Sequence, residues 1–547
     1  MKRLLSTSFL ILFATSFIFL HDSCAHSQDK VIKNVILLIP DGTSLASVST
    51  ARWFQRYRNP DATRLNIDPY LCGTILTYCS NAPIGDSAPT TSCYMTGYPS
   101  RAGYVSTYPV ADPLNDIIPM DSLRAYQPLM TLLEAARIAL HKSTGLVFTC
   151  EFPHATPADC SAHSYQRDNY GWIAPQIVHN QIDVVIGGGV SLLNDENRQF
   201  LRNEGYGLFL NDINGFGNYP GDKMWALFAD KDMAYDIDRN PEQEPSLAEM
   251  TKIAINKLSR NKNGFFLMVE GSKIDWAAHA NDARAIISDM LAFDEACGEA
   301  FRFAESNGET LVVVVPDHGN SGISIGSNKC PGYSTLTKDQ LFGNVAKFKT
   351  SVDALIQVLH NTNPAGLRQT VLDLTGITLT DEEYRQLLQT ADYNLSSLSN
   401  EERMKGSKLT KVVAKILDKY TCFGFTTTGH TGEEVFLAVY DPRPGERLEG
   451  FHTNVELNHY MRDAMGLEKQ FESLTGEYFA KHTDVFKNYA CTINTLGNNP
   501  VLTVKNKKTT LEIQPNTNIV KLNGKELKLN SVVIYVDKNN TFYLPQS

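Results

Sequence analysis

Seven short, largely apolar runs, none longer than eight residues, limit what this chain can fold into more than any other feature of its sequence. They are Val35–Ile39, Thr74–Thr77, Gly145–Phe152, Asp183–Ile186, Phe265–Val269, Leu311–Val315 and Val435–Tyr440. Runs of this length, separated by stretches with helical spacing, predict strands buried on both faces rather than half-buried alternating ones. The expected fold is therefore α/β, a mostly parallel central sheet with helices on both faces. Gly264–Val269, a helical segment through Ser306, and Thr310–Pro316 read as one βαβ unit. Ile286, Met290, Phe293 and Cys297 recur at helical spacing within it and form its core-facing stripe.

Polar residues fall where these runs stop. Val35–Ile39 leads into Pro40-Asp41-Gly42, Gly145–Phe152 into His154-Ala155-Thr156, Phe265–Val269 into Glu270, and Leu311–Val315 into Pro316-Asp317-His318-Gly319. In open α/β sheets the carboxyl ends of the strands are where ligands bind. Asp275 and His279 follow Glu270 at a spacing of four, which puts both on one face of a helix if one forms there. Carboxylate and imidazole together suit a borderline cation such as zinc, although such pairs also occur on solvated helix faces.

Ser87 stands in Gly85-Asp86-Ser87-Ala88-Pro89-Thr90-Thr91. Pro89 suits the first turn of a helix, and a serine at that helix's N-terminus would face free N–H groups that favour anions. Taken alone, Ser87 within Asp86-Ser87-Ala88-Pro89 reads first as an N-cap.

Together these segments resemble the alkaline phosphatase family. The motifs are Asn34-Val35-Ile36-Leu37-Leu38-Ile39-Pro40-Asp41-Gly42, Gly85-Asp86-Ser87-Ala88 leading to Tyr94-Met95-Thr96-Gly97, and His154-Ala155-Thr156-Pro157. They continue with Ala162-His163-Ser164-Tyr165-Gln166-Arg167, Val269-Glu270-Gly271-Ser272-Lys273-Ile274-Asp275 with His279, Pro316-Asp317-His318, and Thr428-Gly429-His430-Thr431-Gly432. The resemblance implies a phosphate monoester hydrolase acting on a broad range of monoesters at alkaline pH, through a phosphoserine at Ser87. It also implies two zinc ions and one magnesium ion. Asp275, His279 and His430 would hold the first zinc; Asp41, Asp317 and His318 the second, with Ser87 as a further ligand. Asp41 would bridge to the magnesium, which Thr156 and Glu270 complete, and Arg167 would grip the phosphate. Three divalent ions bring six positive charges, and Asp41, Glu270, Asp275, Asp317 and a Ser87 alkoxide bring five negative ones. With Arg167 the set nets about two positive charges, matched to a phosphate dianion. Relatives such as phosphodiesterases and arylsulfatases share the two-zinc ligand set but lack Thr156, Glu270 and Arg167 as a group. The resemblance further implies a homodimer.

Two positions depart from the commoner pattern. His154 stands where some members carry Asp, and Trp276 where several carry Lys or His. An imidazole in place of a carboxylate at His154 is expected to weaken or alter the third metal site, and Trp276 is expected to remove a water-linked positive contact to the phosphate.

The 547 residues exceed one ordinary core. Lys2 and Arg3, the apolar run from Leu4 to Leu20 and the small residues Ser23-Cys24-Ala25 predict a signal peptide over 1–25. The mature chain is then exported, periplasmic or extracellular, with lipid anchoring at Cys24 as the alternative. No later stretch is apolar enough to cross a bilayer. The catalytic domain is expected over 30–490, with a helical insertion at about 321–420, and a small β-rich appendage over 491–547. Asn523-Gly524 and Asp537–Asn540 mark turns in that appendage. Of ten cysteines, nine remain after cleavage, so at least one thiol stays free or pairs outside the chain. Cys72 with Cys79 and Cys150 with Cys160 are close enough to close small loops, or are buried small hydrophobes. A formal net charge of -10 argues against nucleic acid as a partner and leaves any attraction to phosphate local.

Overall fold

The computed structural model describes residues 31–390, 408–494 and 500–546, so the expected signal segment and Cys24 lie outside the described residues. The central sheet has ten strands: β1 (Asn34–Pro40), β2 (Leu71–Leu76), β3 (Ser143–Glu151), β4 (Val184–Gly188), β5 (Gly207–Leu210), β6 (Met224–Leu227), β7 (Phe265–Gly271), β8 (Thr310–Val314), β9 (Val435–Tyr440) and β10 (Gly450–Thr453). Their order is β10-β2-β9-β8-β1-β7-β3-β4-β6-β5. Only β9 runs against its neighbours.

All seven residues of β1 are buried because the sheet is covered on both sides. Val35, Leu37 and Ile39 enter one core and Ile36 and Leu38 the other. The same alternation runs through Leu311, Val313 and Val315 against Val312 and Val314. This is why the runs read as continuously apolar.

All seven expected strands form. Three further strands were not expected: β5 and β6 are short apolar strands of four residues, β5 at one edge with β6 beside it, and β10 is a largely exposed strand at the other edge. The βαβ unit crosses over β1, since β7 and β8 flank β1 rather than each other.

Four helices matter for the site: α1 (Ser87–Thr96), α2 (Ala155–Asp159), α3 (Lys273–His279) and α4 (Ala283–Asn307). Met290, Phe293 and Cys297 of α4 are fully buried against the sheet, as their spacing predicts. Between β8 and β9 the chain builds helices over Lys338–Phe342, Val352–His360, Leu367–Thr375, Asp381–Thr390 and Lys408–Asp418, around a core of their own that includes Leu355, Ile356, Leu359 and Val413. A disulfide joins Cys330 to Cys422 across the base of this segment. The close-spaced pairs form no bond: Cys72, Cys79, Cys150 and Cys160 are free thiols. The Cys72 thiol donates to the Leu448 carbonyl, Cys79 to that of Ile84, and Cys160 to that of Thr156. Sequence proximity did not bring their sulfurs together.

The C-terminal residues form a five-stranded antiparallel sheet over Ala490–Asn494, Val501–Lys505, Thr510–Ile513, Ile519–Leu522 and Lys525–Lys528. A second hairpin, Ile534–Val536 with Thr541–Leu544, pairs also with Ala480–Lys481. Asn523 (φ 51°) and Gly524 (φ 81°) turn the chain between two strands with both residues left-handed, the backbone that an Asn-Gly hairpin favours.

Candidate active site

Four adjacent parallel strands, in the order β8-β1-β7-β3, end on one edge of the sheet. Asp317 and His318 follow β8, Asp41 follows β1, Glu270 is the last residue but one of β7, and His154 and Thr156 follow β3. Ile39 lies opposite Glu270 in register, so Asp41 stands two residues beyond the level of Glu270 on the neighbouring strand. All of these side chains are nearly or fully buried.

The turn after β1 is tight. Gly42 has φ +58°, and a Cβ there would stand 2.1 Å from Asp275 Oδ1. Its N–H donates to Asp317 Oδ1 at 3.0 Å, which ties β1 to β8 just beyond the sheet.

Ser87 is the first residue of α1, with Asp86 in the N-cap position, so Ser87 is not itself the cap. Ser87 Oγ lies 3.3 Å from His318 Nε2 and 3.4 Å from Asp41 Oδ1. Tyr94, two turns on, donates to the Pro316 carbonyl at 2.7 Å and fixes α1 to the end of β8.

Asp275 and His279 share a face of α3, with Asp275 Oδ2 3.3 Å from His279 Nε2. His430 arrives from far along the chain because His430–Thr431 pairs antiparallel with Gly319–Asn320. Each of the three imidazoles is held by its Nδ1. His279 Nδ1 lies 2.7 Å from the Thr428 carbonyl, His430 Nδ1 2.9 Å from that of Gly85, and His318 Nδ1 3.1 Å from that of Gly319. Carbonyl acceptors require Nδ1–H, which leaves every Nε2 with its lone pair turned into the site. The Nε2 atoms of His279 and His430 face each other at 3.2 Å. Two converging lone pairs, with Asp275 beside them, call for a cation.

The carboxylates say the same. Burial, then the neighbouring Asp317, Asp275 and Glu270, push the Asp41 carboxyl well above its usual range. Burial pushes Glu270 up to about 7. Asp41 Oδ2, Asp317 Oδ2, Glu270 Oε1 and Thr156 Oγ1 are buried with no hydrogen-bond partner among the described residues. Buried oxygens left this way are costly unless something binds them. The donor atoms of Asp275, His279 and His430 lie within 4.8 Å of one another, as do those of Asp41, Asp275 and His318, and those of Cys150, His154 and Glu270. The residues fit divalent cations.

Arg167 Nη1 donates to Asp86 Oδ1 at 2.6 Å, and Nη2 lies 3.3 Å from His154 Nε2. Burial raises the Asp86 carboxyl, but Arg167 and the His430 and His318 imidazoles outweigh it and hold the group at about 2. Burial and then Arg167 press His154 down to about 3, so it stays neutral. Trp276 is buried with its ring 5.9 Å from that of His154, and Lys273 Nζ stands 4.2 Å from the centre of a Trp276 ring.

Three residues of this site escaped the sequence reading as partners. Asp86 anchors Arg167, Asn320 Nδ2 donates to Asp275 Oδ1 at 2.6 Å, and the Cys150 thiol lies 3.3 Å from Glu270 Oε2. Only Asp86 had a signal, its place beside Ser87.

The family model described as "Alkaline phosphatase" matches residues 32–467. The chain belongs to the alkaline phosphatase family. It is 31% identical to alkaline phosphatase 4 of Bacillus subtilis (strain 168), over 79% of this chain and 88% of that protein. Alkaline phosphatase 3 of the same organism is 32% identical, with the same coverage of both chains. Among solved structures, the cold-active alkaline phosphatase of the psychrophile Shewanella sp. superposes with a TM-score of 0.67 at 27% identity, over 79% of this chain and 99% of that one. The protein is thus a phosphate monoester hydrolase of a metal-dependent family, and the mostly parallel sheet matches that fold.

Proposed function

We propose that Ser87 is the nucleophile, attacking the phosphorus of a monoester to form a phosphoserine that water then hydrolyses. The observation that carries this reading is the position of Ser87 Oγ: at a helix N-terminus, 3.3 Å from His318 Nε2 and 3.4 Å from Asp41 Oδ1. Asp275, His279 and His430 hold a first zinc; Asp41, Asp317 and His318, with Ser87, hold a second. Asp41, Thr156 and Glu270 hold a third divalent ion, for which the resemblance implies magnesium. When bound, these ions supply Lewis acidity at the serine oxygen and at the leaving oxygen. The chain's own residues do the rest. The carbonyls of Thr428, Gly85 and Gly319 take the Nδ1–H of the three imidazoles and turn each Nε2 into the site. Asp86 aims Arg167, whose planar fork matches two phosphate oxygens. His154 and Trp276 pack beside the third ion.

The grip is on phosphate alone, which favours broad specificity. Export is supported by the apolar segment after Lys2 and Arg3 and by a disulfide that suits an oxidising compartment. A homodimer is the assembly the resemblance implies, and sedimentation of the mature protein measures it.

The test is hydrolysis of an aryl phosphate monoester, a matched diester and a matched sulfate by wild type and Ser87→Ala. Wild type should prefer the monoester by orders of magnitude. Ser87→Ala should lose turnover and phosphoserine while keeping its metal content. Full activity in Ser87→Ala refutes the assignment.

A further inference from the structure

The third group of converging donors contains a sulfur. Cys150 lies one residue from the end of β3, fully buried, and its thiol donates to Glu270 Oε2 at 3.3 Å. Its backbone is fixed from behind, because Ser272 Oγ accepts from the N–H groups of Thr149 and Cys150 at 3.2 and 3.1 Å. The donors of Cys150, His154 and Glu270 lie within 4.8 Å of one another, and all three residues are buried. A second, independent observation marks the place as a ligand site. The other Glu270 oxygen, Oε1, and Thr156 Oγ1 are buried with no hydrogen-bond partner among the described residues.

Oxygen ligands alone would suit magnesium, a small hard ion that keeps its waters and binds through carboxylates. A thiol and an imidazole beside the same carboxylate change the choice. Thiolate selects soft and borderline ions, imidazole suits zinc and cobalt, and neither is a good partner for magnesium.

We propose that Cys150 and His154 join Glu270 in a mixed sulfur, nitrogen and oxygen centre, so that the third position of this site takes a thiophilic divalent ion, zinc in preference to magnesium. The inference rests on the ligand reading above, with which it shares Glu270. On binding, the Cys150 S–H bond breaks and the sulfur lone pair forms the bond to the metal. The proton leaves to buffer, and no electron changes hands. Thiolate and carboxylate together neutralise the ion, with His154 as a neutral third donor.

The experiment uses the full mature chain, stripped by chelator and dialysed against zinc with a large excess of magnesium. Metal content per chain is then measured by mass spectrometry for wild type, Cys150→Ser and Cys150→Ala. A cobalt-loaded sample of each supplies the near-ultraviolet sulfur-to-cobalt charge-transfer band, which reports a thiolate ligand directly. Wild type should hold three zinc ions and show the band. The variants should lose the band and lower the preference of the third position for zinc over magnesium on the order of 10–100-fold. Two zinc ions and one magnesium in wild type, without the band, overturn the inference and leave the ligand reading standing. Fewer than two zinc ions overturn both, so stoichiometry separates the two failures. The wild-type spectrum decides the matter even if a variant folds poorly.

Discussion

Replacing Asp86 with asparagine asks whether Arg167 works as an aimed clamp or as a loose charge. The guanidinium is aimed by Asp86, whose Oδ1 accepts from Nη1 at 2.6 Å. The pair is partly buried, with the side chains of Arg167 and Asp86 13% and 25% exposed. Burial alone would raise the Asp86 carboxyl, yet Arg167, His430 and His318 hold it at about 2 against an ordinary 3.8. That difference corresponds to about 2 kcal/mol in favour of the ionised form. It is the net of that stabilisation, which Arg167 leads and the imidazoles share, over the opposing cost of burial. Asparagine keeps a carbonyl acceptor, so the expected loss in aiming Arg167 is about 1–2 kcal/mol, or roughly 5–30-fold in affinity. Asp86→Asn should therefore raise KM and the inhibition constant of inorganic phosphate by that factor. Turnover should not fall in proportion, because a looser grip also lets the product phosphate leave faster. The assay is steady-state hydrolysis of an aryl phosphate monoester with inorganic phosphate as competitive inhibitor. An inhibition constant unchanged within about twofold refutes the clamp. So does a fall in kcat at constant KM. The sign for stability follows from a depressed carboxyl: the contribution is complete above 3.8 and is lost as pH falls through about 2, well below any working pH.

Metal-free protein should lose thermal stability as pH rises from 4.5 to about 7, because burial raises Glu270 across that window and the folded state there binds a proton that the unfolded chain has released. Asp282 and Asp353, each pushed up by burial to about 6, add slope of the same sign, so the part abolished by added zinc is what reports the site; calorimetry with no metal-sensitive slope refutes it. Replacing both Cys330 and Cys422 with serine opens a link between residues 92 apart and should lower stability by about 2–5 kcal/mol. The adjoining Ser324–Ile325 and Phe423–Gly424 pair leads on to Thr428, whose carbonyl holds His279, so zinc should also be lost faster to a chelator, measured by a dye that reports free zinc. Tyr165→Phe removes the 2.6 Å hydrogen bond from the Arg167 loop to Asp537 of the C-terminal hairpin. The expected loss is about 1 kcal/mol, read as a few-fold rise in KM at constant kcat, and identical KM values would free the tail from any role in positioning Arg167.

The divide between what could be read in the sequence and what could not follows the chemistry of the backbone. Asp41, Glu270, Asp317 and His318 were legible because each interrupts or ends a run that is otherwise apolar, and a polar residue at a strand's carboxyl end has few structural reasons to be there. Their convergence was not legible, since it depends on β1 lying between β7 and β8, and the crossover that puts it there leaves no mark in any run. Strands β5 and β6 are apolar, Gly-Leu-Phe-Leu and Met-Trp-Ala-Leu, but four residues are too few to tell a strand from a buried turn of helix, and β10 is largely exposed and carries no apolar run. Cys150 offered only its residue type, which serves equally for a disulfide, a buried hydrophobe or a metal donor.

The least legible parts are the ones that decide whether the ligands work. The groups facing Nδ1 of His279, His430 and His318 are carbonyls of Thr428, Gly85 and Gly319, and every residue type carries a carbonyl. What places those carbonyls is the short pairing of Gly319–Asn320 with His430–Thr431 and the tight approach of Gly85 to His318, where an added Cβ would stand 3.1 Å from the imidazole's Cβ. A motif match can therefore name the three histidines while saying nothing about which nitrogen of each faces the metal. That choice is made by main-chain geometry, so side-chain substitutions at Thr428 should leave the His279 tautomer intact while insertion of a residue between Thr428 and His430 should abolish it.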